Sequence, residues 1–269
     1  MVSFHECAEL SSILDLKNQY LRSLAAPLDG MWEVGFINTA LHWVIKEDSE
    51  VVGYFAVNDE GSLLQFYLLP GFTKYDRQIF ENVIGHNSIT SAIVHTIDPA
   101  FLSLCLDFHA EVSVHSYLYE RQSNEVARHP LAKGTVFRLV ELSELNRTVS
   151  FQQTCLGGGE ELIEWLKGYS TNLISRRELF VLCRGDDWIG LGEYRKSDSQ
   201  VNIVDVGVMV DPGERGQRWA SYILSLLVDK SDSLEDHPIC STTVENIASQ
   251  KAILGAGFES RNRILKVVF

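Results

Sequence analysis

Leu10, Ile13, Leu14, Leu21 and Leu24 fall on one face of a helix, and Pro27 with Gly30 stops the pattern, so an amphipathic helix opens the chain. Three apolar runs follow, His42–Lys46, Val51–Val57 and Leu63–Leu69, separated by polar residues at 47–50 and 58–61. They predict an antiparallel meander. Helical spacing over Asp76–Gly85 and Ala100–His109 then alternates with strand-like Ser91–Ile97 and Val112–Tyr119. The polar stretch Arg121–His129, closed by Pro130, is the candidate linker.

From Thr135 the same succession begins again. Thr135–Leu142 reads as a strand, Ser143–Cys155 as a helix, and Gly157–Gly159 as a hinge. Leu162, Trp165, Leu166, Tyr169 and Leu173 mark an amphipathic helix. Strands are expected at Leu179–Cys183, Trp188–Tyr194 and Val201–Val210, then a helix with Trp219, Tyr222, Ile223, Leu226 and Leu227 as its core stripe. Strand Ile239–Val244, helix Ala248–Leu254 and strand Arg263–Val268 close the order. The halves superpose without a gap where Val44-Ile45 matches Val181-Leu182 and Val51-Val52-Gly53 matches Trp188-Ile189-Gly190; farther on, Pro70-Gly71 matches Pro212-Gly213. The reading is an α+β fold built as two tandem domains, 1–130 and 131–269, each a mostly antiparallel twisted sheet flanked by helices.

The charge balance narrows the partners. Of 269 residues, 23 are basic and 36 acidic, and a net charge of −13 repels nucleic-acid backbones and anionic lipid surfaces. Five scattered cysteines without a C-x-x-C pair indicate neither a disulfide framework nor a thiolate zinc site. The N-terminus lacks a signal-peptide pattern and no apolar stretch approaches membrane-spanning length, which points to the cytoplasm. The eight histidines show no metal-ligand spacing, so no metal is expected, and His95 and His115 read as satisfied structural residues. Cys240 reads as core.

Chemistry concentrates between a strand and the helix after it, in Val210-Asp211-Pro212-Gly213-Glu214-Arg215-Gly216-Gln217-Arg218-Trp219-Ala220-Ser221. Unpaired N–H groups at such a helix start, together with the helix dipole, form an anion site. The segment resembles the acyl-CoA loop of the GNAT N-acetyltransferase superfamily, V-x-P-x-x-[RQ]-x-x-G-x-[GA], with Val210, Pro212, Arg215 and Ala220 in matching positions. Asn246 and Ser249 fit that family's N-x-x-[AS] signature, and Gly255-Ala256-Gly257-Phe258 its terminal G-F. The first half carries Phe72-Thr73-Lys74-Tyr75-Asp76-Arg77 after Pro70-Gly71, without glycine, and resembles a degenerate copy.

The resemblance implies acetyl-CoA as cosubstrate, held by backbone groups of Val208, Met209 and Val210, by Arg215, Gly216, Gln217, Arg218, Trp219, Ala220 and Ser221, and by Asn246 and Ser249. It implies transfer to an amine of a small molecule or peptide, with a strand carboxylate as base. Asp205 is the first choice and Glu193 the second. The chain departs from the family at Arg218, where a glycine is usual, and at Ile253, where many relatives carry a proton-donating tyrosine. A non-catalytic GNAT-fold binding or regulatory protein is therefore the alternative. One geometric test separates the two: a cofactor cleft requires the strands around Val208 and Cys240 to splay apart.

Overall fold

The computed structural model describes residues 2–86, 89–121 and 131–269, so residues 122–130 of the candidate linker and the expected boundary at 130 lie outside the described residues. The chain forms two compact units, one of residues 1–118 with 260–269 and the other of residues 119–259.

In the first unit, β1 (Val2–Glu6) pairs antiparallel with β2 (Leu41–Glu47), which continues the meander through β3 (Glu50–Val57) to β4 (Ser62–Leu68). β1 has no counterpart in the sequence reading, because five half-exposed residues carry too little apolar pattern. The opening helix starts as a tight turn at Leu10–Ile13 and continues as α1 (Leu14–Ser23). α2 (Asp76–Ile84), β5 (Ser91–His95) and α3 (Pro99–Asp107) follow, and β6 (Glu111–Arg121) leads out. Phe55, Phe66, Phe80 and Phe101 fill the core, where Phe80 meets Phe66 edge-on at 5.1 Å.

The second unit repeats the plan with β7 (Val136–Leu139), α4 (Leu145–Leu156), α5 (Glu160–Ser175), β8 (Leu179–Arg184), β9 (Asp187–Lys196), β10 (Ile203–Val210), α6 (Trp219–Leu234), β11 (His237–Thr243) and α7 (Ile247–Gly255). Its strands lie in the order β11-β10-β9-β8-β7. β7 is shorter than its apolar run because Leu142–Glu144 turns into the helix through a reciprocal cap between Glu141 and Glu144. Between α4 and α5, Gly157 and Gly158 take φ of +74° and +100°, a region that only glycine enters freely.

The duplication extends to irregularities. Ile45 pairs with Gly53 and Leu182 with Gly190, and each hairpin carries its bulge immediately after that rung. Both glycines meet a neighbouring backbone: a Cβ on Gly190 would stand 2.6 Å from the Met209 carbonyl oxygen, and one on Gly53 would collide with that of Tyr67.

One element departs from the expected order. The last strand, β12 (Phe258–Val268), pairs antiparallel with β5 from Ile264–His95 to Val268–Ser91, so residues 260–269 complete the sheet of the first unit and do not close the second. Sequence alone assigns this strand to the nearer half because its partner lies over 160 residues upstream.

Candidate functional site

The site in the second unit is built around strands that part. β10 and β11 run parallel and pair at Ile203–His237, Val204–Pro238 and Asp205–Ile239 only, although β10 continues to Val210 and β11 to Thr243. Beyond that rung, Val206–Val210 keeps its ladder with β9 on one edge, and Val208, Met209 and Val210 are half-buried. The splay required around Val208 and Cys240 is therefore present, and Cys240 itself is buried.

At the open end of β10 the chain turns through Pro212–Glu214 and enters α6. Gly216 and Arg218 both take left-handed backbone, with φ of +80° and +67°. Arg218 thus occupies the glycine position of the motif in the conformation that glycine favours, and its side chain is exposed. Among the described residues nothing accepts a hydrogen bond from the backbone N–H groups of Trp219, Ala220 and Ser221. These donors and the N-terminal end of a 16-residue helix dipole form the anion site.

Side chains brace the loop. Arg215 donates from Nε to the Val210 carbonyl (3.3 Å) and from Nη2 to that of Cys155 (3.1 Å), which ties the loop to the end of α4. Glu214 accepts from Gln217 Nε2 and Trp219 Nε1, each at 3.1 Å. Trp219 and Tyr222, expected in the core, are only half-buried: one ring leans on the loop, and the other's hydroxyl accepts from the Ala132 N–H at 2.7 Å. Gly190 and Gly192 let α6 settle on β9, since a Cβ on either would come within 3 Å of Ile223.

Asn246 caps α7, its Oδ1 accepting from the Ser249 N–H at 3.0 Å; Asn246 is exposed and Ser249 half-buried. Ser221 packs against Gly255, where a Cβ would stand 2.8 Å from the Ser221 hydroxyl, so the first glycine of the terminal signature serves the contact between α6 and α7. Ile253 is buried in α7.

Glu193 and Asp205 come together. On the sheet face away from α6, Arg195 of β9 stands opposite Asp205 of β10, and Glu193 stands opposite Gly207. The Arg195 guanidinium bridges both acids, through a close Nη1–Glu193 contact and an Nη2–Asp205 Oδ1 bond of 2.7 Å. Tyr169 of α5 donates to Glu193 Oε2 at 2.7 Å and accepts from Arg195 Nη1 at 3.1 Å. Gly207 makes room for the cluster: a Cβ there would stand 2.9 Å from Arg195 Nη1 and 3.2 Å from Glu193 Oε2. Sequence reasoning missed Arg195 and Tyr169. The signal for Arg195 is its spacing, two residues after Glu193 on one strand face; Tyr169 is hidden in the apolar stripe of its helix.

The first unit lacks the loop chemistry. Pro70–Tyr75 winds directly into α2 with no left-handed residue, and Asp76 in the first turn of α2 accepts from the Arg77 N–H, placing a negative charge where an anion would bind. His95 is buried but neither ring nitrogen is bonded, which corrects its reading as satisfied, and His115 is exposed. Among the described residues no group of three or more His, Cys, Asp or Glu side chains could hold a metal, and no helix is long and apolar enough to cross a membrane.

Comparison with known proteins agrees with this architecture. A family model described as an acetyltransferase (GNAT) domain matches residues 9–122, the half without the glycine loop. No curated protein matches the chain. The structure of a GCN5-related N-acetyltransferase from Sphaerobacter thermophilus superposes with a TM-score of 0.66 at 13% identity, covering 99% of this chain and 95% of its own. A tandem GNAT protein from the clavulanic acid biosynthesis pathway superposes at 0.64 with 12% identity, over 100% of this chain and 98% of its own, and these two show the shared fold. An acetyltransferase of the GNAT family from Colwellia psychrerythraea is 33% identical over 99% of both chains, with a TM-score of 0.92. With that identity sustained along the whole chain and the forked strand pair in place, this protein belongs to the GNAT family of acetyltransferases.

Proposed function

We propose that the second unit transfers an acetyl group from acetyl-CoA to an amine of a small molecule or peptide, by direct attack, in the cytoplasm and without nucleic-acid or membrane partners. The observation that carries this reading is the parting of β10 and β11 just before a helix whose first N–H groups lack acceptors. The residues fit acetyl-CoA: the N–H groups of Trp219, Ala220 and Ser221 suit its pyrophosphate, exposed Arg218 its phosphate charge, and the edge of Val208–Val210 that has no strand beside it beyond the fork its amide-bearing arm. When bound, acetyl-CoA supplies an activated thioester acyl group.

The chain's own residues hold and move the proton. Gly207 is the first residue of that sheet face beyond the last β10–β11 rung, and Glu193 is its partner across the ladder. Glu193 is thus the acid nearer the fork, while Asp205 sits on the last paired rung and is bonded to Arg195. In this reading Glu193 receives the ammonium proton and Asp205 fixes the guanidinium, a reversal of the order expected from sequence. Removing such a base lowers turnover by about a hundredfold to ten-thousandfold. Ile253, buried and without a proton to give, favours the competing reading of a GNAT-fold binding protein without turnover.

Calorimetric titration with acetyl-CoA, using Arg215→Ala/Gly216→Val as the control, tests the cofactor. Release of CoA across an amine panel, compared for the native protein, Glu193→Gln and Asp205→Asn, tests the chemistry. No heat on titration removes the cofactor assignment. Binding without release for any amine selects the non-catalytic reading.

A further inference from the structure

The first unit also contains a forked strand pair, furnished differently. β4 and β5 pair in parallel only at Ser62–Ser91 and Leu63–Ala92, although β4 runs on to Leu68 and β5 to His95. Gln65, paired with Ala56, stands where Gly207 stands in the second unit, and it is buried. The Tyr54 hydroxyl donates to Gln65 Oε1 at 3.1 Å. Tyr20 lies against Gln65 and Asp98, with its ring 6.2 Å from that of Tyr54 and 6.0 Å from that of Tyr67.

Asp98 corresponds to Asn246. Its Oδ1 accepts from the Phe101 N–H at 3.1 Å and caps α3, as Asn246 caps α7 through a residue three positions on. The repeat has thus kept the cap and replaced an exposed amide by a carboxylate that is only 5% exposed. One oxygen suffices for a cap, and Asn caps as well as Asp. Tyr20 stands beside the carboxylate as a hydrogen-bond donor, yet the second oxygen, Oδ2, is buried with no hydrogen bond of ordinary geometry, which disfavours its charged form. His95, 3% exposed, adds two unbonded ring nitrogens. Burial holds its pKa down to about 3, so it stays neutral and does not answer the carboxylate.

A carboxylate oxygen and an amide beside tyrosine hydroxyls form a set that suits a cation with N–H donors and repels phosphate. We propose that the fork of the first unit is a second binding site, which takes a small primary amine as its ammonium ion on Asp98 Oδ2 beside Tyr20, Tyr54 and Gln65. This site is separate from the acetyl-transfer site and does not depend on it.

The test is titration of the full chain with propylamine hydrochloride at pH 7.5, where Asp98, lifted by burial to about 6, is ionised. Saturable binding is expected in the native protein and in Glu193→Gln. It should weaken by about tenfold to a hundredfold in Asp98→Asn, which keeps the cap but loses the charge-assisted bond. Equal affinity in Asp98→Asn, loss of binding in Glu193→Gln instead, or no saturable binding overturns the proposal. A crystal grown with propylamine gives a reading that needs no variant: a nitrogen bonded to Asp98 Oδ2 supports the site, and water alone on that oxygen overturns it.

Discussion

Arg195 and Asp205 face each other across one rung of the β9–β10 ladder, and the guanidinium that bonds Asp205 at 2.7 Å also holds Glu193. Both acids are at least 95% shielded from solvent, so the arginine is the counter-charge that lets two carboxylates share a sheet face. Arg195→Met should therefore lower stability by about 3–5 kcal/mol, the cost of stranding a buried charge. Urea denaturation checks this. A loss under 1 kcal/mol would mean that the acids relax into water when the arginine is removed.

Gly207→Ala probes the same cluster from the opposite strand. Its methyl group would stand 2.9 Å from Arg195 Nη1 and must push the guanidinium aside. The expected result is a loss of about 1–3 kcal/mol, with acetyl-CoA affinity unchanged. Calorimetry run beside denaturation separates the two, and equal damage to both would place Gly207 in the cofactor cleft.

Arg218 holds a left-handed backbone at φ +67°, a conformation that costs a side-chain-bearing residue about 1–2 kcal/mol. Arg218→Gly should raise stability by about 0.5–1 kcal/mol once the extra chain entropy of glycine is subtracted. The same variant should weaken acetyl-CoA binding most at low ionic strength, with the deficit shrinking as salt screens the phosphate contact that was lost. A fall in melting temperature would show that the arginine side chain contributes more than its backbone costs.

Stability should depend on pH through buried groups of the first unit. Burial pushes His95 down to about 3 and His42 down to about 4, so between those values and 6.5 only the unfolded chain holds their protons, and stability climbs as pH rises. Asp98 acts in the opposite sense, because burial lifts it from 3.8 to about 6 and the folded chain keeps a proton that the unfolded chain has lost. The histidines span the wider interval, so the native protein should gain stability from pH 4 to pH 6.5. Asp98→Asn deletes the opposing contribution, and its stability relative to the native protein should improve by about 3 kcal/mol from pH 4 to pH 7. Denaturant midpoints at a series of pH values measure the difference, and a constant offset would mean that Asp98 is not buried as an acid.

Local pattern carried much of this architecture. The hairpins 41–57 and 179–196 were legible because each apolar run is bounded by a polar turn, and α6 because Ile223 and Leu227 repeat at helical spacing. Legibility failed where the decisive partner is remote in sequence. β12 has an ordinary strand pattern that says nothing of β5. Asp205 could be placed on a strand, but its environment depends on Arg195, whose position follows only from the β9–β10 register. What lies against that acid is a guanidinium. Asp98 drew no notice because a cap residue before Pro99 is a routine signal; only burial makes its second oxygen unusual.

The strand taken by the first unit from the far end of the chain has a consequence for synthesis. A ribosome delivers residues 2–118 in order and then makes the whole of the second unit before residues 260–269 emerge. Until then β5 presents a bare edge at Ile93 and Val94, the kind of edge that recruits strands from other molecules. A gene cut near residue 130 would make that delay permanent, yielding one fragment that lacks the strand pairing with β5 and another that carries it with nowhere to pair. The halves repeat each other in pattern, yet the first is finished only by residues made after the second.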